Sequence, residues 1–133
     1  MNPQIQSAEK TRPAAPQEGA WLSEAKRRCV KECQDCHSIC QETVTYCLQQ
    51  GGRHADAEHI TLLLDCAASC QNSADFMLRG SQLDARACAF CAEVCNRCAT
   101  DCENFSDDAK MKACAEACRR CADTCRQMGT ASA

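Results

Sequence analysis

The sequence has few aromatic residues, few glycines and few prolines. Of its 133 residues, five are aromatic (one Trp, one Tyr and three Phe), five are glycine and three are proline. So few aromatic rings exclude a core filled mainly by large side chains. So little glycine and proline disfavours the loop-rich folds on which small secreted disulfide proteins are built.

Long apolar segments and an excess of basic residues are also missing. No segment approaches the roughly 18 consecutive apolar residues of a membrane-spanning helix, so we expect no membrane partner. The formal net charge is -3, and lysine and arginine form no basic stripe. Because nucleic-acid binding needs such a stripe or a basic balance, we expect no nucleic-acid partner.

A disordered or extended tail is predicted for residues 1–22. This segment is polar, contains all three prolines (Pro3, Pro13 and Pro16) and lacks the apolar run of a secretory signal. We therefore expect a cytoplasmic protein, whose thiols stay reduced.

Four helices are predicted at about 23–50, 56–79, 81–104 and 106–128, with a short C-terminal tail at 129–133. The expected N-caps are Ser23, Asp56, Ser81 and Ser106, and the expected helix stops are Gly51, Gly80 and Gly129. Because short links make neighbouring helices antiparallel, we predict an all-α fold, an antiparallel up-down-up-down four-helix bundle over residues 23–128.

The most distinctive feature is cysteine, with sixteen residues spaced as one face of each helix. Successive cysteines within a helix lie three, four or seven residues apart, which keeps their side chains in a narrow stripe. These are the a and d positions that Leu and Ile usually hold, so we predict a cysteine-lined core. The cysteines are Cys29, Cys33, Cys36, Cys40, Cys47, Cys66, Cys70, Cys88, Cys91, Cys95, Cys98, Cys102, Cys114, Cys118, Cys121 and Cys125.

Histidine and methionine residues continue the predicted stripe at its ends. Antiparallel packing places one group near one end of the bundle: Cys47, His59, Cys102 and Met111. It places a second group near the other end: Cys29, Met77, Cys88, Cys125 and Met128. Imidazole and thioether are metal ligands, so His59, Met77, Met111 and Met128 join the cysteines as candidate ligands, with ordinary packing at the core ends as the alternative.

The cysteine pattern favours soft metal ions of low coordination number. Cu(I) accepts two or three soft ligands, whereas Zn(II) requires four, which here need facing helices in register. A continuous stripe therefore favours many Cu(I) ions per chain, from about 8 with private thiolate pairs to about 16 or more with bridging thiolates. Such binding needs no catalytic residue, so we do not expect an enzyme.

Two alternatives stay open from the residues alone. The seven C-x-x-x-C pairs also fit a helical binding or chaperone-like module clamped by disulfides between helices, without a metal role. A general thiolate sponge for zinc and other soft metals is the second alternative.

The sequence resembles the bacterial cysteine-rich copper storage proteins over residues 23–128. The resemblance rests on the seven C-x-x-x-C pairs, on their distribution over four helices, and on the runs CAFCAEVCNRC from Cys88 and CAEACRRCADTC from Cys114. It implies Cu(I) binding along the bundle core, a homotetramer, and membership of the cytosolic branch. Besides the copper ions, we expect a copper chaperone or chelator as a partner. The second helix departs from the pattern because it has only two cysteines. The number of Cu(I) ions that the core can hold is therefore lower near one end.

Overall fold

The computed structural model describes residues 20–131, so most of the predicted tail at 1–22 lies outside the described residues. The helices are α1 (Glu24–Gln50), α2 (Ala57–Leu78), α3 (Asp84–Glu103) and α4 (Ala109–Ala131). A 3-10 helix, Gly52–Ala55, connects α1 to α2. No strand occurs between residues 20 and 131, which confirms the predicted all-α class.

Contacts between sulfur atoms establish the direction of the helices. Cys29 at the start of α1 contacts Cys125 late in α4, whereas Cys40 contacts Cys114 early in α4. The same reversal relates α1 to α2 and α2 to α3, through the pairs Cys36–Cys66, Cys66–Cys95 and Cys70–Cys91. Each helix is thus antiparallel to its chain neighbours, and the four-helix bundle is as predicted.

The core consists mainly of sulfur. Each of the sixteen cysteines is at most 1% exposed, and alanines occupy many of the remaining buried positions. The largest fully buried side chains are Leu63, Met77 and Met111. A small thiol at most core positions leaves little apolar area per layer, so the apo bundle gains less from burial than a Leu-filled one.

The ends of α1 agree with the sequence. The Ser23 side chain accepts a hydrogen bond from the Lys26 backbone N–H. At the other end, Gly51 has a φ of 71° and donates its N–H to the Cys47 carbonyl. Glycine adopts this left-handed conformation without steric cost, so it ends the helix.

The third and fourth helices begin three residues later than predicted. The Ser81 side chain accepts from the Leu83 N–H within a turn, so α3 starts at Asp84 instead of 81. For α4, the cap is Asp108 and not Ser106, because the Asp108 carboxylate accepts from the backbone N–H groups of Lys110 and Met111.

Gly129 does not end the fourth helix. The helix continues to Ala131, where the sequence predicts a tail. A Cβ at Gly129 would lie 3.0 Å from atoms of Ala89, so this glycine allows α4 to approach α3 closely. At the start of α2, the Asp56 side chain makes no capping hydrogen bond, in contrast to the prediction.

Membrane insertion is not supported by the helices. Among the described residues, none of them combines the length and the apolar character that a membrane span requires.

Candidate metal site

The cysteine sulfurs form a connected network inside the bundle. Short contacts between Sγ atoms run from 3.4 Å (Cys33–Cys125) to 4.0 Å (Cys36–Cys40). All sixteen cysteines are free thiols, so no disulfide clamps the helices together. Cysteines three or four positions apart lie on the same face of a helix, so their sulfurs all face the cysteines of the neighbouring helices. This spacing explains the network.

Four overlapping groups of four cysteines occupy the middle of the core, and within each the Sγ atoms lie within 4.8 Å of one another. The four quartets are Cys33, Cys91, Cys121 and Cys125; Cys70, Cys91, Cys95 and Cys121; Cys36, Cys66, Cys70 and Cys95; and Cys36, Cys40, Cys66 and Cys118. In this order each quartet shares two cysteines with the next. We call this set the quartet chain.

The quartet chain extends toward both ends of the bundle. A trio of Cys29, Cys88 and Cys125 continues it at one end. At the other end, Cys114 lies 3.9 Å from Cys40, and the neighbouring thiols of Cys98 and Cys102 act on its pKa. The described core therefore offers thiols along its whole length.

A different set of donors lies beyond Cys98 and Cys102. The Cys47 Sγ is 3.3 Å from His59 Nε2 and 3.5 Å from the Met111 sulfur. This agrees with the predicted grouping, and we call Cys47, His59 and Met111 the mixed-donor site. Thr43 is fully buried between Cys40 and Cys47 on α1, where its hydroxyl bonds to a backbone carbonyl and interrupts the sulfur stripe.

Asp101 belongs to this end of the bundle, and the sequence analysis did not identify it. Its carboxylate accepts a very short hydrogen bond from His59 Nδ1. The ring of Phe105 packs on the other side, 4.8 Å from the His59 ring between centroids. Neither contact has a sequence signal, because both residues come from the end of α3 and meet His59 only after folding.

The other two histidines, His37 and His54, are partly buried. His37 Nδ1 pairs with the Ala67 carbonyl at 2.8 Å. His54 Nε2 lies 2.8 Å from the Asp108 carboxylate, which also accepts from the Tyr46 hydroxyl. Neither is among the described neighbours of a cysteine sulfur.

Two surface cavities reach donor residues, and both lie at the mixed-donor end. One of about 320 Å³ is lined by His59 and Asp101 with Arg53, Asp56, Glu58 and Phe105 among its walls. The second, of about 410 Å³, is lined by Cys102 and Phe105. The Phe105 ring thus separates two approaches to the donors.

Among residues 20–131, the donors grouped at the opposite end are sulfurs, and the chain preceding α1 lies against the end of α2 there. Met77 is fully buried there, and Met128 packs against the core while partly exposed. The indole N–H of Trp21 donates to the Leu78 carbonyl at 2.8 Å, and its ring lies against Gly80, which has a φ of 64°. We call this the Trp21 end.

Burial favours the protonated form of the thiols. Loss of solvation, with a contribution from the Cys114 sulfur, raises the pKa of Cys47 to about 11. Hydrogen bonds with Cys114 and Cys118, together with burial, raise the pKa of Cys40. A metal ion must therefore displace protons when it binds to Cys47 and Cys40.

Chemically, the core offers soft donors in excess of what any one ion needs. Thiolate and thioether select Cu(I), zinc and iron–sulfur clusters over hard ions such as Mg²⁺. Three edges of one quartet, Cys70–Cys95, Cys66–Cys95 and Cys36–Cys66, measure 3.6 to 3.8 Å, close to the roughly 3.8 Å of a tetrahedral zinc–thiolate site.

Comparison with known proteins gives a consistent result. The sequence profile described as copper storage protein matches residues 22–130. Among solved structures, the Nmul_A1745 protein from Nitrosospira multiformis is 38% identical with a TM-score of 0.75, covering 79% of this chain and 94% of its own.

Two further similar structures contain copper according to their descriptions. The Cu(I)-bound copper storage protein BsCsp3 is 33% identical with a TM-score of 0.75, over 80% of this chain and 100% of its own. The copper storage protein Ccsp from Streptomyces lividans, loaded with 10 copper equivalents, is 28% identical with a TM-score of 0.75, over 94% and 97%.

Proposed function

Because this chain belongs to the copper storage protein family, we propose that it binds and stores many Cu(I) ions in its bundle core through cysteine thiolates. The observation that carries the proposal is the quartet chain, in which successive groups of four buried thiols share two members. Shared thiols allow one sulfur to bridge two ions, so the core holds more ions than separate sites would. Storage of this kind involves no catalytic step.

Charge balance sets the expected capacity. A Cu(I) ion that replaces one thiol proton leaves the core neutral, whereas two thiolates for each ion would leave one buried negative charge per ion. Uncompensated buried charge is costly, so neutral loading is favoured. With sixteen cysteines, we expect saturation at about 16 ions, one for each thiolate.

Zinc binding is the second candidate, because a single quartet fits a tetrahedral ion. Adjacent quartets share two sulfurs, so ions in neighbouring quartets would lie only roughly 3 Å apart for tetrahedra of zinc–thiolate size. Repulsion grows with the product of the charges and is about fourfold larger for two Zn²⁺ than for two Cu⁺. Zinc should therefore fill at most two quartets that share no cysteine, such as those containing Cys33 and Cys40.

We propose that the ligand set contains all sixteen cysteines together with His59, Met77, Met111 and Met128. Uptake begins at the mixed-donor site, where two cavities reach His59 and Cys102. Its neutral imidazole and thioether donors hold Cu(I) less strongly than a thiolate pair, so the ion can exchange inward to Cys98, Cys102 and Cys114. At the Trp21 end, Met77 and Met128 complete the last core site.

A Cu(I) titration tests the proposal. The fully reduced protein is titrated anaerobically against a chromophoric Cu(I) chelator, and ions bound per chain are counted. Saturation between about 8 and 16 ions supports the storage function, and one or two ions would contradict it. A matched variant with the quartet Cys36, Cys66, Cys70 and Cys95 changed to Ala should lose about four ions, one per thiolate. A parallel Zn(II) titration should saturate near two ions.

We also propose a cytoplasmic homotetramer that exchanges copper with a chaperone or small chelator. Reduced cysteines throughout the core suit a reducing compartment. Exposed apolar side chains, among them Phe90 (62%) and Leu48 (56%), are available for contact between subunits. Native mass spectrometry of apo and loaded protein measures the subunit number, and a monomer at micromolar concentration would contradict the tetramer.

A further inference from the structure

The side chain of His59 is held from both sides. Its ring is 4% exposed and lies between the Cys47 sulfur, 3.3 Å from Nε2, and the Asp101 carboxylate, which contacts Nδ1. Asp101 is 32% exposed and lines the cavity of about 320 Å³ outside the bundle. His59 is its one hydrogen-bond partner among the described side chains.

The Asp101 contact determines which ring nitrogen carries the proton. An ionised carboxylate can only accept hydrogen bonds, so Nδ1 of His59 must donate. In the neutral ring, Nε2 then has a free lone pair, and that atom faces Cys47 at the mixed-donor site. A metal-binding histidine requires this arrangement, because the nitrogen toward the metal must be unprotonated.

The second Asp–His pair of the chain has a different environment. Asp108 bonds to His54, but it also accepts from Tyr46 and from two backbone N–H groups at the start of α4. The Asp108 carboxylate therefore has a structural role at the start of α4. The Asp101 carboxylate has no comparable structural partner, and its histidine is the one that contacts a cysteine sulfur.

We propose that Asp101 is a positioning residue for copper uptake, which holds His59 with the Nε2 lone pair directed at the mixed-donor site. The inference rests on the proposed function, because it assumes that His59 receives Cu(I). Asp101 itself touches no sulfur and acts through His59. Loss of an outer partner of a metal-binding histidine typically weakens metal affinity about 10- to 100-fold.

The test compares Asp101→Asn with Asp65→Asn, a control that removes the same charge from an exposed site on α2. In apo protein labelled with ¹⁵N-histidine, the imidazole shifts report which nitrogen of His59 is protonated, and His59→Ala identifies the signal. We expect the Nδ1–H form in the wild type and in the Asp65 variant. In Asp101→Asn, the amide can donate to Nδ1, and the Nε2–H form should gain population.

Copper uptake provides the second readout. The rate at which Cu(I) passes from a chelator to the protein, followed by stopped-flow absorbance, should fall about 10- to 100-fold in Asp101→Asn, with the number of ions at saturation unchanged. In a His59→Ala background, Asp101→Asn should have no further effect on this rate. Asp101→Glu, which keeps the carboxylate, should recover part of the loss.

Three results would overturn the inference: an unchanged His59 tautomer in Asp101→Asn, an unchanged rate of Cu(I) uptake, or an equal effect of Asp101→Asn with and without His59. The wild-type titration separates this failure from failure of the proposed function. If the wild type stores many ions while Asp101→Asn behaves identically, only the role of Asp101 is wrong. If the wild type binds one or two ions, the storage function itself fails.

Discussion

The two ends of this bundle differ in donor type, in cover and in access. At the mixed-donor end, nitrogen, thiol and thioether donors meet beside two surface cavities, and Asp101 supports the histidine from outside. At the Trp21 end, the donors are thiols and thioethers, and the indole of Trp21 is bonded across the end of α2. The difference teaches that one sulfur-lined core can have one end suited to exchange and one suited to retention.

The largest expected effect is on pH dependence, which should differ between the mixed-donor site and the core. The pKa of Cys47 is raised to about 11, so Cu(I) must displace its proton throughout the range from pH 7 to 9. Falling pH therefore weakens binding. One thiolate gives about a 10-fold loss of affinity per pH unit, and a private thiolate pair gives about 100-fold.

The measurement is chelator competition at several pH values in the wild type, for the first ion, which binds in the thiol core, and for the last ion, which occupies the weaker mixed-donor site. The slope should be steeper for the first ion. Equal slopes, or a steeper one for the last ion, would contradict the assignment of the one-thiolate site to Cys47.

The next effect is on the rate of uptake. Cys47→Ala combined with His59→Ala removes two donors at the mixed-donor end, and Cys29→Ala combined with Cys88→Ala removes two at the Trp21 end. We expect the first variant to take Cu(I) from a chelator at least about 10-fold more slowly, since losing the ligands costs no less than losing an outer partner. The second should load at the wild-type rate, as followed by stopped-flow absorbance.

Equal slowing of the two double variants would mean that copper enters from both ends. Saturation counts on the same samples serve as the control, because each variant should lose a similar small number of ions.

A smaller effect concerns capacity. Cys70 belongs to two quartets of the quartet chain, whereas Cys47 belongs to none. The core takes one ion per thiolate, so Cys70→Ala and Cys47→Ala should each lower saturation by about one ion, but only Cys70→Ala should also weaken the binding of ions in two neighbouring quartets. Metal analysis after gel filtration counts the ions, and chelator competition measures how tightly the remaining ones are held. Equal retention in the two variants would argue against bridging at Cys70.

The smallest expected effect is on the stability of the apo protein. Trp21→Phe keeps an aromatic ring over Gly80 but removes the hydrogen bond to the Leu78 carbonyl, which should cost about 1 kcal/mol of unfolding free energy. Arg53→Ala removes a guanidinium 4.8 Å from the centre of the Phe105 ring and should cost about 0.5 kcal/mol. Urea denaturation under reducing conditions measures the unfolding free energy of both variants. A larger loss from Arg53→Ala than from Trp21→Phe would contradict this expected order.

Much of the fold and part of the site could be predicted from the sequence. The spacing of cysteines fixes the buried face of each helix, and antiparallel order then groups Cys47, His59 and Met111, as the structure shows. These predictions succeed because they depend on helical periodicity alone.

The rest depends on contacts that no periodic pattern records. Asp101 meets His59 across the interface of two helices, and an exposed acidic residue on α3 is indistinguishable from a solvated one before folding. In the sequence, Gly129 resembles a helix stop, but in the structure it allows α4 to pack closely against Ala89 of α3. Ser106 and Asp108 are both acceptable caps, and the bonds of Asp108 to His54 and Tyr46 decide between them.

The most direct test of the central claim is anomalous diffraction at the copper edge from crystals of the fully loaded protein. The account predicts a row of copper sites inside the bundle, from the trio of Cys29, Cys88 and Cys125, along the quartet chain, to the mixed-donor site. Neighbouring sites should share thiolates. Copper found mainly on the outer surface, or in isolated sites with no shared cysteine, would contradict it.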